Sequence, residues 1–145
     1  MSFLISYFLK VRKKTSELVS KLEPEDMIVQ SNDFVSPIKW HLGHTTWFFE
    51  NFILQKSKDY KKFDKSFNYI FNSYYNGVGT YNPKEKRGII NRPLLKHVIK
   101  YRKHVDQNII DLLNKKNLTS KFKFLIELGI NHEQQHQELI LMDVL

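Results

Sequence analysis

Apolar residues recur with a helical period in four long stretches of the chain, and no stretch alternates with the period of two that marks a half-buried strand. In the first, over about residues 3–21, Phe3, Leu4, Tyr7, Phe8, Val11, Leu18 and Leu22 fall mostly on one face, with Lys10, Arg12, Lys13 and Lys14 assigned to the solvated side. Leu22-Glu23-Pro24-Glu25-Asp26 ends it, because proline disfavours helical backbone at the residue before it. Ser36-Pro37 predicts an N-cap followed by proline at the first helical position, opening a second helix that runs to about Leu54. Residues 55–65 are lysine-rich and predict a loop, Phe67 to Tyr75 predicts a short aromatic helix, and residues 76–92, with Gly77, Gly79, Pro83 and Gly88, predict a long irregular connection. Pro93 opens the third long helix, which buries Leu94, Leu95, Val98, Ile99, Val105, Ile109, Leu112 and Leu113 and stops at Asn114-Lys115-Lys116-Asn117. Thr119 is the expected N-cap of a last helix running to the chain end. The pattern predicts one all-α domain over residues 1–145, a four-helix bundle with a long crossover between its second and third long helices.

Composition narrows the chemistry. With no cysteine among 145 residues, disulfides and thiolate metal sites are excluded, and any metal must be held by nitrogen and oxygen. No apolar run reaches the ~18 residues of a spanning helix. The apolar start, Met1 to Leu9, is short and is followed rather than preceded by basic residues, the wrong order for a signal peptide, so a cytoplasmic setting is expected. The net charge of +8 comes almost entirely from lysine, the arginines being Arg12, Arg87, Arg92 and Arg102. Nucleic-acid readers lean on arginine forks, and no zinc finger, RNP signature or GXXG clamp occurs. The charge is therefore read as a solvated surface, with neither nucleic acid nor membrane as partner. A small anionic substrate is compatible with it.

Two clusters carry the candidate chemistry. His132-Glu133-Gln134-Gln135-His136 lies inside the last helix, where an i, i+4 spacing sets two imidazoles about 40° apart on one face. Their rings can converge on one cation, and zinc or iron suits such a donor set. The same residues fit the HExxH of zinc proteases, but only Glu138 and Asp143 follow as further ligands, and no strand is available to align a peptide. A third ligand is therefore expected upstream. The second cluster, Trp40-His41-Leu42-Gly43-His44, lies on a helix able to pack antiparallel to the last, and His41 and His44 can both face inward. Gly43 thins the helix beside them, at about 1 kcal/mol relative to alanine, which implies a packing or site reason. His97 and His104 are read as surface or packing residues.

Ser36-Pro37-Ile38-Lys39-Trp40-His41-Leu42-Gly43-His44-Thr45-Thr46-Trp47-Phe48-Phe49-Glu50 closely resembles a motif of the ergothioneine-synthase family, the hercynine oxygenases or iron(II)-dependent sulfoxide synthases, whose N-terminal domain is DinB-like. Leu22-Glu23-Pro24-Glu25-Asp26 with Val29-Gln30-Ser31 matches the lead-in of that family. Phe71-Asn72-Ser73-Tyr74-Tyr75, Arg87-Gly88, Arg92-Pro93, Tyr101-Arg102, Val105-Asp106 and His132-Glu133-Gln134-Gln135-His136-Gln137-Glu138 then follow in order, so the resemblance spans nearly the whole chain.

The resemblance implies a DinB-like bundle holding Fe(II) through His44, rather than His41, together with His132 and His136. It implies that Gln135 touches hercynine and that Arg87 grips the carboxylate of γ-glutamylcysteine. Lys84 stands where the family usually has a second arginine, which keeps the charge and loses the bidentate fork. The implied reaction joins a thiol, γ-glutamylcysteine or cysteine, to C2 of hercynine with dioxygen, forming a sulfoxide. No catalytic residue is singled out, although Tyr74, Tyr75 and Tyr81 are near enough in sequence to orient substrate. The family continues into a second domain resembling the sulfatase-modifying formylglycine-generating enzyme. The chain is thus expected to be the front of a longer or split protein, working with such a domain or partner chain, or a relic of one. A stand-alone DinB-like thiol transferase using zinc or nickel, and a non-catalytic partner subunit, are the other two readings.

Overall fold

In a computed structural model that describes residues 2–73, 81–89, 91–115 and 117–144, the chain is all-helical, as the pattern predicts, with no strand among the described residues. The helices are α1 (Ser2–Val19), α2 (Ile38–Phe52), α3 (Phe67–Phe71), α4 (Leu95–Leu113) and α5 (Ser120–Val144). The long ones, α1, α2, α4 and α5, form the bundle, and α3 lies in the crossover that joins α2 to α4. Tyr74, Tyr75, Gly77 and Gly79 of the predicted aromatic helix and connection lie outside the described residues.

Helix α2 is the centre of the molecule. Every residue from Ile38 to Glu50 is buried, on packing against α4 and α5 and a cover from α3. A helix enclosed on all sides has to satisfy its own polar groups. Thr45 and Thr46 do so by returning their hydroxyls to the His41 and Leu42 carbonyls, and the Glu50 carboxylate accepts from the hydroxyls of Tyr60 and Tyr101. Helices α2 and α5 run antiparallel: contacts pair Ser36 with Asp143, His41 with His136, Phe48 with His132 and Phe49 with Gly129, one number rising as the other falls. Gly129 is what lets them close, since a Cβ there would run into the Phe49 ring. Around this seam Phe8, Phe49, Phe67, Phe71 and Tyr101 pack edge-to-face or offset, an arrangement that uses the aromatic quadrupole.

One expected boundary holds and two others move, for physical reasons. Thr119 caps α5 through Oγ1, which accepts from the Phe122 amide at 3.3 Å. Ser36 does not cap α2: Pro37 holds the cap position, no side chain bonds the first turn, and the Ser36 hydroxyl instead accepts from Arg87 at 2.8 Å. The fourth helix opens at Leu95 rather than Pro93, because Leu94 is extended, at φ −67° and ψ 153°. The largest correction is Arg12. Assigned to the solvated side of α1, it is buried between α1, α4 and α5 with only 3 % of its surface exposed.

Candidate metal centre

Three imidazoles meet where α2 crosses α5. The ring centroids of His44, His132 and His136 form a nearly equilateral triangle, 4.9 Å, 4.7 Å and 4.6 Å on its sides. One donor nitrogen from each lies within 4.8 Å of the others, and His44 Nε2 is 3.1 Å from His132 Nε2. The i, i+4 spacing on α5 and the antiparallel seam with α2 bring about this convergence. Of the pair left open on α2, His44 completes the triangle and His41 stands behind it.

The ring planes are held by neighbours at helical spacing. Trp40, one turn before His44, stacks on it at 4.4 Å and 10°, and Trp47, one turn after, lies at 5.6 Å and 19°. Phe48 stacks on His132 at 4.3 Å. Helix α3 then fixes the whole row. Its last-turn carbonyls have no helical partner, and those of Ile70 and Phe71 accept from Trp40 Nε1–H at 3.0 Å and from His44 Nδ1–H at 2.6 Å, while Asn68 Oδ1 accepts from Trp47 Nε1–H. Gly43 makes this possible, since a Cβ there would collide with the Phe71 ring and push its carbonyl away from His44.

Electrostatics keep the three rings neutral. Burial is the first cause for each. It holds His44 well below the ordinary histidine value, with His136 and His132 adding, and brings His132 down to about 4 despite the nearby Glu133 charge. His136 is also lowered, by burial, then by His132 and His41. A neutral imidazole is the form that binds a metal.

The donor set fits a metal ion on two observations. His44 Nδ1 gives its proton to the Phe71 carbonyl, so Nε2 carries the free lone pair, which is the outer-shell arrangement that orients a ligating histidine. Two nitrogens bound to one ion at about 2.1 Å lie about 3.0–3.4 Å apart in octahedral or tetrahedral geometry, and the His44–His132 separation of 3.1 Å falls in that range. Three histidines, two buried and one half-buried, can therefore hold a metal ion here.

The other expected site residues fall around this centre. Arg87 is buried, its guanidinium carbon 3.4 Å from the centre of the Trp40 ring on which His44 stacks. Gln135 is exposed and lines a cavity of about 470 Å³ with Phe48, Phe52, Leu125, Leu128, Asn131 and His132. Lys84 is half-buried and further out; its carbonyl accepts from Gln30 Nε2 at 2.6 Å. His97 is half-buried on α4, and His104 packs its ring against Tyr60 and Phe63. Glu133, the residue a zinc protease would use as general base, turns away from the three histidines. Its carboxylate accepts from Arg12 at 2.9 Å, Arg102 at 3.0 Å and Thr15 at 2.6 Å. Burial pushes that carboxyl up, but the two guanidiniums and the Thr15 bond outweigh it and hold it well below the usual range.

Reading the sequence missed this charged cluster and one further pair. His41 contacts His136 through their Nδ1 atoms at 2.9 Å, and its Nε2 lies 2.7 Å from Asp143. No helix among the described residues is long and apolar enough to cross a membrane. No curated protein resembles the chain closely enough in sequence to count as a relative. Residues 7–140 do match the DinB superfamily, a span that takes in all three histidines, all of α2, α3 and α4, and most of α1 and α5. The chain belongs to the DinB superfamily.

Proposed function

We propose that the chain is the iron-binding domain of an ergothioneine-type sulfoxide synthase, working in the cytoplasm and joining a thiol to hercynine with dioxygen. The observation that carries the reading is the conjunction of the three neutral rings with Arg87, a buried cation stacked on the Trp40 ring that backs His44. When bound by His44, His132 and His136, iron(II) supplies the open coordination positions and the electrons through which dioxygen reacts with the thiol. The protein holds the pieces in register. Arg87 is the anchor for the carboxylate of γ-glutamylcysteine or cysteine, and Lys84 supplies a second, weaker charge. Gln135 and Asn131 offer amides along the apolar wall of Phe48, Phe52, Leu125 and Leu128, where the hercynine ring can lie. In the net reaction the thiol and hercynine C2 each give up a hydrogen, a C–S bond forms, one oxygen atom is added to sulfur and the other leaves as water.

A sulfatase-modifying-type domain, on the same polypeptide or a separate one, completes the substrate pocket in this reading. The test is anaerobic reconstitution with iron(II), alone and with that second domain, followed by mass spectrometry for the sulfoxide after adding hercynine, thiol and air. Sulfoxide formation that disappears in His132→Ala supports the reading. Metal uptake with no sulfoxide under either condition contradicts it. Three imidazoles suit zinc or nickel equally well, and the match reaches the superfamily as a whole. A stand-alone thiol transferase is therefore the second reading, favoured by thiol transfer from the zinc-loaded chain. A non-catalytic partner subunit is favoured by metal-free protein that still binds its partner.

A further inference from the structure

Behind the metal centre lies a hydrogen-bonded chain that none of the proposed ligand or substrate roles uses. Asp143, near the end of α5, turns its Oδ2 inward, where it meets His41 Nε2 at 2.7 Å and the Ser36 amide at 2.9 Å. His41 is buried, and its other nitrogen lies 2.9 Å from His136 Nδ1. With His41 neutral, each link leaves one choice of proton. A carboxylate only accepts, so His41 Nε2 carries the hydrogen. A neutral His41 then has a bare Nδ1, which can only accept, so the hydrogen between the two rings sits on His136 Nδ1. His136 Nε2 is left with the free lone pair. His44 reaches the same state by a different donor bond, to the Phe71 carbonyl.

We infer that His41 and Asp143 are positioning residues for the metal centre, a carboxylate–imidazole relay that fixes the tautomer and ring orientation in which His136 offers Nε2 to the ion. The inference rests on the three-histidine centre, not on the identity of the metal or the reaction. It explains why α2 carries two inward histidines of which only one belongs to the triangle. It also gives Ser36 a purpose other than helix capping: its amide steadies Asp143, and its hydroxyl accepts from Arg87 at 2.8 Å. Arg87 is thereby tied to two of the three rings, to His44 through Trp40 and to His136 through Ser36, Asp143 and His41.

The test titrates the full metal-free chain with cobalt(II) alone, reading affinity and the visible ligand-field bands. His41→Phe keeps a buried ring without an acceptor, and His41→Gln restores an acceptor. Asp143→Ala removes the carboxylate, and Asp143→Asn keeps an oxygen for His41 and Ser36. His41→Phe and Asp143→Ala are expected to weaken cobalt binding about 10–100-fold, the usual penalty for losing an outer-shell partner, and to shift the bands. His41→Gln and Asp143→Asn should recover most of both. Equal binding and spectra in wild type and all four variants overturn the relay, as does an equal loss in all four, which would mark a purely structural role. Should His41→Phe fail to fold, the Asp143 pair, near a helix end and part exposed, decides alone. A wild-type chain that takes up no cobalt overturns the metal centre itself, and the relay with it.

Discussion

Two buried polar clusters share α5 and begin one residue apart, at His132 and Glu133, yet they are built on opposite logic. Around Glu133 every charge is answered: its two oxygens take bonds from Arg12, Arg102 and Thr15, while Arg12 also reaches Asp106 at 2.6 Å and Thr46 at 2.9 Å. Around His132 three rings bring lone pairs together, and His132 Nδ1 is buried with no protein partner among the described residues. One cluster joins α1, α4 and α5 by ion pairs, reaches α2 by a hydrogen bond from Arg12 to Thr46, and has nothing left to offer a ligand. The other is held just as firmly by stacking and outer bonds but is left open at its centre. A saturated buried network makes structure, whereas a converging unsaturated one makes a site.

Breaking the saturated cluster should have the largest effect. Glu133→Ala leaves two guanidiniums buried without their shared counter-charge, and losing one partner of such a pair costs about 3–5 kcal/mol. That is a large part of the 5–15 kcal/mol that holds a typical domain, so urea unfolding of the metal-free chain should show a much lower midpoint or no folded baseline. Removing a ring from the open cluster should do the reverse. His44→Ala, His132→Ala and His136→Ala should each abolish stoichiometric metal uptake, measured by equilibrium dialysis and elemental analysis, while the metal-free fold persists by circular dichroism.

Acid sharpens the comparison further. The folded His132 value of about 4 lies below the ordinary value of 6.5, and His44 and His136 are lowered in the same direction. As pH falls from about 6.5 towards 4, the unfolded chain takes up protons that the native rings refuse, so stability drops through that window and is unaffected by these groups above it. Urea midpoints of the metal-free chain measured from pH 7.5 to 4.5 should show the decline, and the triple alanine variant at positions 44, 132 and 136 should flatten it. The smallest effect belongs to His97→Ala, which touches neither cluster and should change stability by no more than about 0.5 kcal/mol and leave metal uptake intact.

The open cluster was far more legible in the sequence than the saturated one. His132 and His136 declare themselves by spacing, and the α2 motif brought His44 with it. Arg12 was placed outside because charge is read as exposure, and Arg102 and Glu133 were seen only as parts of motifs, although each of the three sits in its helix's apolar register. Arg12 falls in step with Phe8, Val11, Thr15 and Val19, Arg102 with Val98, Val105 and Ile109, and Glu133 with Ile126, Ile130 and Ile140. Periodicity alone, without the hydropathy weight, would have put all three inside. Ser36 misled for the converse reason. A serine before proline fits a helix cap, but a long-range partner, Arg87, fifty-one residues on, took its hydroxyl. Local pattern carries no information about such a competitor. The same holds for the His41–Asp143 pair, whose members come together only once α2 and α5 are antiparallel.

The central claim is tested most directly by counting metal. Metal-free chain reconstituted anaerobically with iron(II), freed of excess and assayed by elemental analysis and X-ray absorption should hold one ion per chain with three imidazole nitrogens around it. No retained iron, or an undiminished ion in the triple alanine variant, would contradict the account.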